Sequence, residues 1–284
     1  MKNRLLNIKG KLVSLERPVV MGILNVTPDS FFEKSRQQNE SEISRRIEAI
    51  ISEGAAIIDI GGYSSRPGAI EVTPEDEWHR LEPALHILMK DYPAMPVSID
   101  TFRADLARRA ITDYGVTMIN DISGGAMDGK MFDTVAELNV PYVLTHMRGT
   151  PQTMHQETDD DRLPDDVMLW LAERLRLLRQ LGVNDVILDP GFGFGKTLEQ
   201  NYALLRGLNQ FSLLFDCPLL VGVSRKSMIY NLLDCTVADS LNGTTVLNTY
   251  ALLNGADILR VHDVKEAVEV VRLISYVRGT EKLT

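Results

Sequence analysis

The chain has 284 residues, 44% of them hydrophobic and 24% charged, with a formal net charge of −9. That balance suits a soluble globular protein with a sizeable core, while an acidic chain without a basic run argues against nucleic acid, and no apolar run is long enough to span a bilayer. The only cysteines, Cys217 and Cys235, form no metal-ligand pattern, and the first 18 residues lack the apolar core of a signal peptide, so a reducing, cytoplasmic setting is expected.

Residues 4–17 alternate apolar and polar positions around Lys9-Gly10 and predict a small β-hairpin ahead of the main fold. A regular rhythm follows. Short apolar runs at 19–24, 56–60, 96–99, 118–120, 142–145, 186–188, 219–223 and 258–261 read as strands. Amphipathic stretches near 41–53, 74–90, 103–113, 131–138, 164–181, 198–207, 239–253 and 264–278 read as the helices between them. In the clearest helix, Val167, Leu171, Leu175, Leu178 and Leu181 share one face. Gly54, Gly115, Gly182 and Gly255 follow helices, as C-terminal caps do. Eight strands alternating with eight helices predict a closed (β/α)8 TIM barrel with an N-terminal β-hairpin. No composition shift marks a second domain, so residues 1–284 are read as one domain, 1–17 hairpin and 18–284 barrel.

In such a barrel the chemistry sits at the C-terminal ends of the strands. Those ends carry Asn25, Asp59, Asp100, Asn120 with Asp121, His146 with Met147, Asp189, Ser224-Arg225-Lys226, and Arg260 with His262. A single buried Asp or Asn there is more often structural; the signal is that all eight converge on one mouth. Asp100, Asn120 and Asp189 offer acceptors suited to an amino-bearing heterocycle, since a carboxylate pairs with adjacent N–H groups through two parallel hydrogen bonds. Arg66, Arg260 and His262 offer donors suited to phosphate, and Ser224 with Lys226 lies after strand seven, where barrels of this kind place phosphate sites. A planar polar heterocycle at the floor and an anionic tail at the rim are therefore expected. Two long loops, 25–39 and 61–73, leave the same face and read as lids, the first with Phe31 and Phe32 exposed. His79 and His86 lie on a helix and read as structural, and the methionines read as core filler.

The stretch from Val186 to Lys196, VILDPGFGFGK, delivers Asp189 from a strand into a glycine-rich loop whose Phe192 and Phe194 are placed to flank a flat ring. It is not a nucleotide loop. Pro190 stands where the leading glycine of a Walker motif belongs, and Lys196 where the last glycine of a dinucleotide fingerprint belongs.

Seven motifs in register, MGILNVTPDSF from Met21, IIDIGGYSSRPGA from Ile57, INDIS, HMRGTPQTM, DPGFGFGK, GVSRKSMI and GADILRVHDV, resemble those of the dihydropteroate synthases of the folate pathway over residues 18–275. The resemblance implies a barrel enzyme that joins 6-hydroxymethyl-7,8-dihydropterin diphosphate to 4-aminobenzoate with release of diphosphate, works with Mg²⁺, and forms a homodimer through the outer helices of the C-terminal part. Carried over residue by residue, it implies pterin contacts from Asp100, Asn120, Met147, Asp189, Gly222 and Lys226. It implies diphosphate contacts from Asn25, Ser65, Arg66, Arg260 and His262, with Asn25 also touching the metal. The 4-aminobenzoate site would draw on Ser65, Arg66, Pro67, Phe194, Ser224 and Lys226, and catalysis on Asp100, Lys226, Arg260 and His262. The chain departs from the family at Tyr63, where an acidic residue is usual, at Ser65 in place of Thr, at Arg148 where Gln is common, and at Phe32-Glu33-Lys34-Ser35. A pterin-dependent methyltransferase domain with a corrinoid partner is the rival enzyme reading, and a non-catalytic pterin-binding paralogue the rival without chemistry.

Overall fold

Eight parallel strands form the ring that the eightfold rhythm predicts. In the computed structural model the described residues are 4–27, 36–63 (36–39 as backbone), 72–150, 153 and 162–280. The strands are β3 (Val19–Asn25), β4 (Ile57–Gly61), β5 (Val97–Asp100), β6 (Met118–Asp121), β7 (Tyr142–Thr145), β8 (Val186–Asp189), β9 (Leu220–Val221) and β10 (Ile258–Val261). They are hydrogen-bonded in the order β8-β7-β6-β5-β4-β3-β10-β9, and a parallel bridge between Leu188 and Leu219 closes the ring. Ahead of it, β1 (Leu5–Ile8) and β2 (Lys11–Ser14) make the expected hairpin. Lys9 and Gly10 both hold positive φ, 50° and 77°, the turn whose twist matches that of paired strands.

Strand alternation sorts the side chains. Ile58, Ile60, Val97, Ile99, Ile119, Leu144 and Leu188 point out to the helices and join the main core. Met21, Ile57, Met118, Val143, Ile187, Leu220 and Ile258 point inward and form a second apolar cluster with Leu6, Ile8 and Leu15 of the hairpin region. The hairpin thus stoppers the N-terminal end of the ring. It is tied there by Asn7 N–H donating to Asp185 Oδ1 at 2.9 Å and by Arg4 against Asp257 at 3.3 Å. Each of these leucines and isoleucines contributes about 1.5–3 kcal/mol by leaving water. Two residues further along the strands the inward positions turn polar, at Asp59, Asn120, Thr145, Asp189 and Arg260, and the opposite end becomes the mouth.

The helices are α1 (Arg36–Ser52), α2 (Pro74–Asp91), α3 (Ala104–Tyr114), α4 (Met131–Leu138), α5 (Asp165–Gln180), α6 (Leu198–Arg206), α7 (Leu208–Leu214), α8 (Ser227–Leu233), α9 (Leu241–Leu253) and α10 (Val264–Val277). Thr73 caps α2 through Asp76 N–H with Pro74 in the first turn, and Thr197 with Gln200 forms a reciprocal capping box on α6. Gly54, Gly115, Gly182 and Gly255 all take the positive φ expected of helix ends.

Several boundaries differ from the sequence expectation. Helix α1 starts at Arg36 rather than 41, because its first turn is polar and carries no apolar period. The seventh strand shrinks to Leu220–Val221, α9 is preceded by a 3₁₀ turn at Ala238–Ser240, and α7 was not expected because it is a single short segment directly after α6. Leu181 ends α5 and is 44% exposed, while Met168 takes a buried place on that face. The expectation for Phe31 and Phe32, and the tips of both long loops, lie outside the described residues.

Candidate active site

Strand register sets one row of side chains across the mouth. Asn25 pairs with Gly61, Gly61 with Asp100, and Asp100 with Asn120. The glycine in this row matters: a Cβ on Gly61 would stand 3.5 Å from both Asn25 Oδ1 and Asp100 Oδ2, so its absence keeps the space between two oxygen donors open. Across the ring, Arg260 reaches into the same space. Its Nε donates to Asp59 Oδ2 at 2.7 Å and Nη2 donates to Asp100 Oδ2 at 2.5 Å. Asn120 Nδ2 donates to the same Asp59 oxygen at 2.9 Å.

Asp189, at the end of β8, is 6% exposed and accepts from Gly191 N–H at 2.8 Å. The loop behind it takes its shape from glycine. Gly191 has φ +73°, and a Cβ there would fall 1.8 Å from His146 O; a Cβ on Gly193 would press on the Lys226 chain at 3.2 Å. That close approach lets Lys226 Nζ donate to Phe192 O and stand 4.6 Å from the Phe194 ring centre. Only Phe194 is available to flank a ligand ring. Phe192 is fully buried in the main core, because the positive φ of Gly191 and Gly193 on either side of it breaks the strand period that would put it on the same face as Phe194.

The rim beyond β9 and β10 holds Ser224 and His262. Ser224 Oγ lies 3.2 Å from His262 Nδ1 and accepts from His262 N–H at 3.1 Å. Asp263 makes no hydrogen bond with the His262 ring; both its oxygens accept from Arg225, through Nε and Nη2, and Arg225 also donates to Val237 O and Ala238 O and so ties the rim to the turn before α9. Gly222 would meet Arg260 Cβ at 3.8 Å and Lys226 Nζ at 4.0 Å, and so keeps the floor open between two cations. Met147, two residues past the end of β7, is buried, 6% exposed.

Crowding of charge out of water shifts the titrations. Burial, reinforced by Asp59, pushes the Asp100 carboxyl up to about 7 against the pull of Arg260. Burial also raises Asp189, with Lys226 opposing. Lys226 is lowered to about 8 by burial, with Asp189 opposing. Burial would lower Arg260, but Asp59 and Asp100 outweigh it and hold the guanidinium charged. His262 falls to about 4 through burial and the nearby Arg260, so it is neutral at pH 7. The mouth therefore carries a carboxylate and an ammonium poised near neutrality, the property of groups that bind or move charge.

Asn25, Asp100, Asn120, Asp189, Gly222, Lys226, Arg260, Ser224 and His262 thus fall at the one mouth that their places in the sequence implied. Ser65, Arg66 and Pro67 lie outside the described residues. Asp121 leaves the ring: it points outward, buried, and accepts from Ser123 N–H, Gly125 N–H and Tyr142 OH, because it is one residue out of phase with Asn120. His146 is outward too, edge-on to Trp170 at 4.9 Å. His79 and His86 are exposed on α2.

Three features escaped the sequence reading. Asp59 stands at a strand end like its neighbours but was not singled out as a site residue. Lys196, considered only as a failed phosphate-loop lysine, spends its ammonium on Gly191 O at 2.7 Å, Phe194 O at 3.1 Å and His146 Nδ1 at 3.0 Å, and so pins the glycine loop from below. Glu77, buried in α2, pairs with Arg103, which also donates to Val72 O at 2.5 Å, while Arg80 donates to Gly62 O at 3.1 Å; together they hold the two stems of the second loop. No local motif announces either device.

Comparison with known proteins agrees with this geometry. A family profile described as "Pterin binding enzyme" matches residues 21–262. The dihydropteroate synthase of Escherichia coli (strain K12) is 39% identical over 268 residues, covering 94% of each chain. Among solved structures, the dihydropteroate synthase of Xanthomonas albilineans with 4-aminobenzoic acid superposes with a TM-score of 0.89 at 35% identity, covering 98% of this chain and 99% of its own. That of Yersinia pestis with a sulfonamide drug gives 0.88 at 36% identity, covering 98% and 100%. With the barrel, the acceptor floor and the Lys226 and Arg260 cations beside it in place, this chain belongs to the dihydropteroate synthase family of pterin-binding transferases.

Proposed function

We propose that this enzyme condenses 6-hydroxymethyl-7,8-dihydropterin diphosphate with 4-aminobenzoate to give 7,8-dihydropteroate and diphosphate, by a dissociative displacement. The observation that carries the reading is the mouth itself: Asp100, Asn120 and Asp189 as acceptors, with Lys226 and Arg260 between them. Asp189 receives the adjacent N–H groups of the pterin's guanidine-like edge in a paired contact, Asn120 and Lys226 take other heteroatoms of the ring, and Met147 and Gly222 line the slot. Arg260, His262 and Asn25 receive the diphosphate, with Ser65 and Arg66 from the second loop. Ser65, Arg66, Pro67, Phe194, Ser224 and Lys226 form the 4-aminobenzoate site, Ser224 taking its carboxylate.

In the reaction the C–O bond between the pterin CH₂ and the diphosphate breaks, and its electron pair leaves with the diphosphate. The electron-rich dihydropterin spreads the positive charge left on the carbon, and the Asp100 carboxylate beside it stabilises that charge. Arg260 faces the departing anion, already held by two carboxylates and needing no reorganisation. The aminobenzoate nitrogen then bonds to the CH₂ and gives up a proton to solvent. His262, neutral at pH 7, acts at the diphosphate as a hydrogen-bond partner and not as a fixed cation.

The oxygen donors facing Gly61 fit Mg²⁺, a hard ion that takes few protein ligands and completes its shell from water and substrate phosphate. Among the described residues no group of three His, Cys, Asp or Glu side chains forms a ready-made cage. Asn25 would hold the ion, and when bound it supplies neutralising charge for the diphosphate.

The same reading includes a homodimer. Val246, Tyr250 and Leu253 lie along one face of α9 and Leu273 and Val277 along α10, all at least 38% exposed, an apolar stripe suited to a second copy. It also includes a cytoplasmic setting, in keeping with Cys217 and Cys235 both being unbridged, and competition by sulfonamides, which carry an arylamine like that of 4-aminobenzoate.

The test is a diphosphate-release assay. Release that requires both substrates and yields dihydropteroate supports the proposal. Methyl transfer from a methyl-tetrahydrofolate to a corrinoid, or pterin binding without release, would replace it with one of the rival readings. A monomer in sedimentation at micromolar concentration would remove the dimer.

A further inference from the structure

We propose that Asp59 is the positioning residue of this site: a single buried carboxylate oxygen decides which edge of Asn120 faces the ligand and holds the plane of Arg260. The inference rests on the roles given above to Asn120 and Arg260, and goes beyond them to what makes those roles possible.

Asp59 is wholly buried, two residues before the mouth row on β4. Its Oδ2 accepts from Asn120 Nδ2 at 2.9 Å and from Arg260 Nε at 2.7 Å. A side-chain amide is close to symmetric in shape, and its terminal torsion has two wells of similar steric cost. Nothing in the shape of Asn120 therefore says whether oxygen or nitrogen turns to a ligand. Asp59 does, because its Oδ2 already takes the Arg260 N–H and acts as an acceptor. With Nδ2 committed to it, Asn120 has its Oδ1 left for the mouth, and the reversed amide would set two oxygens against each other. Asn120 is thereby an acceptor, able to select a ligand that presents an N–H at that point and to reject one that presents a lone pair.

The same oxygen acts on Arg260. One N–H on Asp59 and one on Asp100 fix the guanidinium at two points. A fork with five donors held in this way keeps three for an anion, in a plane it does not have to find anew in each turnover. One carboxylate thus couples the two ends of the site: heterocycle polarity and anion placement come from one atom. Oδ1 of Asp59 is buried without a hydrogen-bond partner among the described residues, so the whole hydrogen-bonding role falls on Oδ2.

The experiment uses the full-length enzyme with two variants, Asp59→Asn and the exchange Asp59→Asn with Asn120→Asp. It measures melting temperature, calorimetric affinity for 6-hydroxymethylpterin, inhibition by inorganic diphosphate, and KM for 4-aminobenzoate. In the single variant the introduced amide can donate to Asn120 and let it turn. Pterin affinity and diphosphate inhibition should each weaken by about tenfold or more, with KM for 4-aminobenzoate within about twofold. In the exchange the amide at 59 donates to the new carboxylate at 120, which again keeps an oxygen for the mouth. Pterin affinity should then recover to within about fivefold of the parent. Pterin affinity unchanged in the single variant overturns the proposal, as does an exchange no better than the single variant. A uniform loss of all three constants in step with the melting temperature overturns it too, by reducing Asp59 to a structural residue. Asp189→Ala, measured alongside, separates the two levels: if it binds the pterin normally, the floor assignment itself is wrong and the role of Asp59 falls with it.

Discussion

The two ends of the barrel are built from the same strands and do opposite things. At the N-terminal end, inward Met21, Ile57, Met118, Val143, Ile187, Leu220 and Ile258 meet Leu6, Ile8 and Leu15 and exclude water. Two residues along most of those strands, the inward layer holds Asp59, Asn120, Asp189 and Arg260, polar and charged groups largely removed from water. The first layer releases free energy on folding. The second is costly to desolvate and is held by pairing, so it contributes chemistry rather than stability. A strand step of two residues separates an apolar stopper from a polar floor.

That division predicts that substitutions at the mouth should change function far beyond any change in stability, and substitutions at the stopper stability without function. The largest effect is expected at Asp189. Asp189→Ala should reduce pterin affinity by about 10⁴-fold, since the heterocycle's donors would be left unpaired, and unchanged binding in calorimetry would break the floor assignment. Arg260→Ala should lower kcat by about 10²–10³, the loss expected for a preorganised group facing developing charge, and intact turnover would remove the diphosphate role.

Leu15→Ala sharpens the comparison from the other side. It should cost about 2–5 kcal/mol of stability in denaturant titrations while leaving kcat/KM of the folded enzyme unchanged. A changed KM would mean the two ends are coupled through the strands.

The pH profile is next. Asp100 acts ionised and titrates near 7, so kcat/KM should fall as pH drops below 7. Lys226 acts charged and titrates near 8, so it should fall again as pH rises above 8. The optimum is narrow, and Asp100→Asn should lower the rate and abolish the acid limb while keeping the alkaline one.

The smallest effect concerns His146, held to about 2 by burial and then by Lys196, below its usual 6.5. Its neutral form favours the fold above pH 6.5, and that contribution is lost as pH falls, because the unfolded chain takes up a proton the folded one refuses. Replacing it, His146→Gln, should flatten the stability slope below pH 6.5 by up to about 1.4 kcal/mol per pH unit.

Much of this was legible in the chain. Ile57-x-Asp59, Met118-x-Asn120, Ile187-x-Asp189 and Ile258-x-Arg260 each place a polar residue two steps after an apolar one, which is what an inward strand face turning from stopper to mouth requires. The hairpin, the ring and the helix-ending glycines follow from local rules of the same kind. Where reading by adjacency failed, the fault was phase. Asp121 sits one residue from an inward position, and a step of one turns a side chain to the other face, while Phe192 lies in a loop of positive-φ glycines where the strand period no longer holds. Lys196 failed for another reason, because a lysine in a glycine loop suggests phosphate until its carbonyl partners are known.

The sequence by itself determined the alternation of strands and helices, the polar character of one end of the ring and the close backbone approach of the loop after Asp189, because these depend on periods of two and 3.6 and on the absence of a Cβ. Only the tertiary structure decided who pairs with whom. Arg260 meets Asp59 across 201 residues and Asp100 across 160, and Asn120 meets Asp59 across 61. A hydrogen bond is made or lost within a few tenths of an ångström, and that precision comes from the closure and register of the ring, not from any segment of the chain.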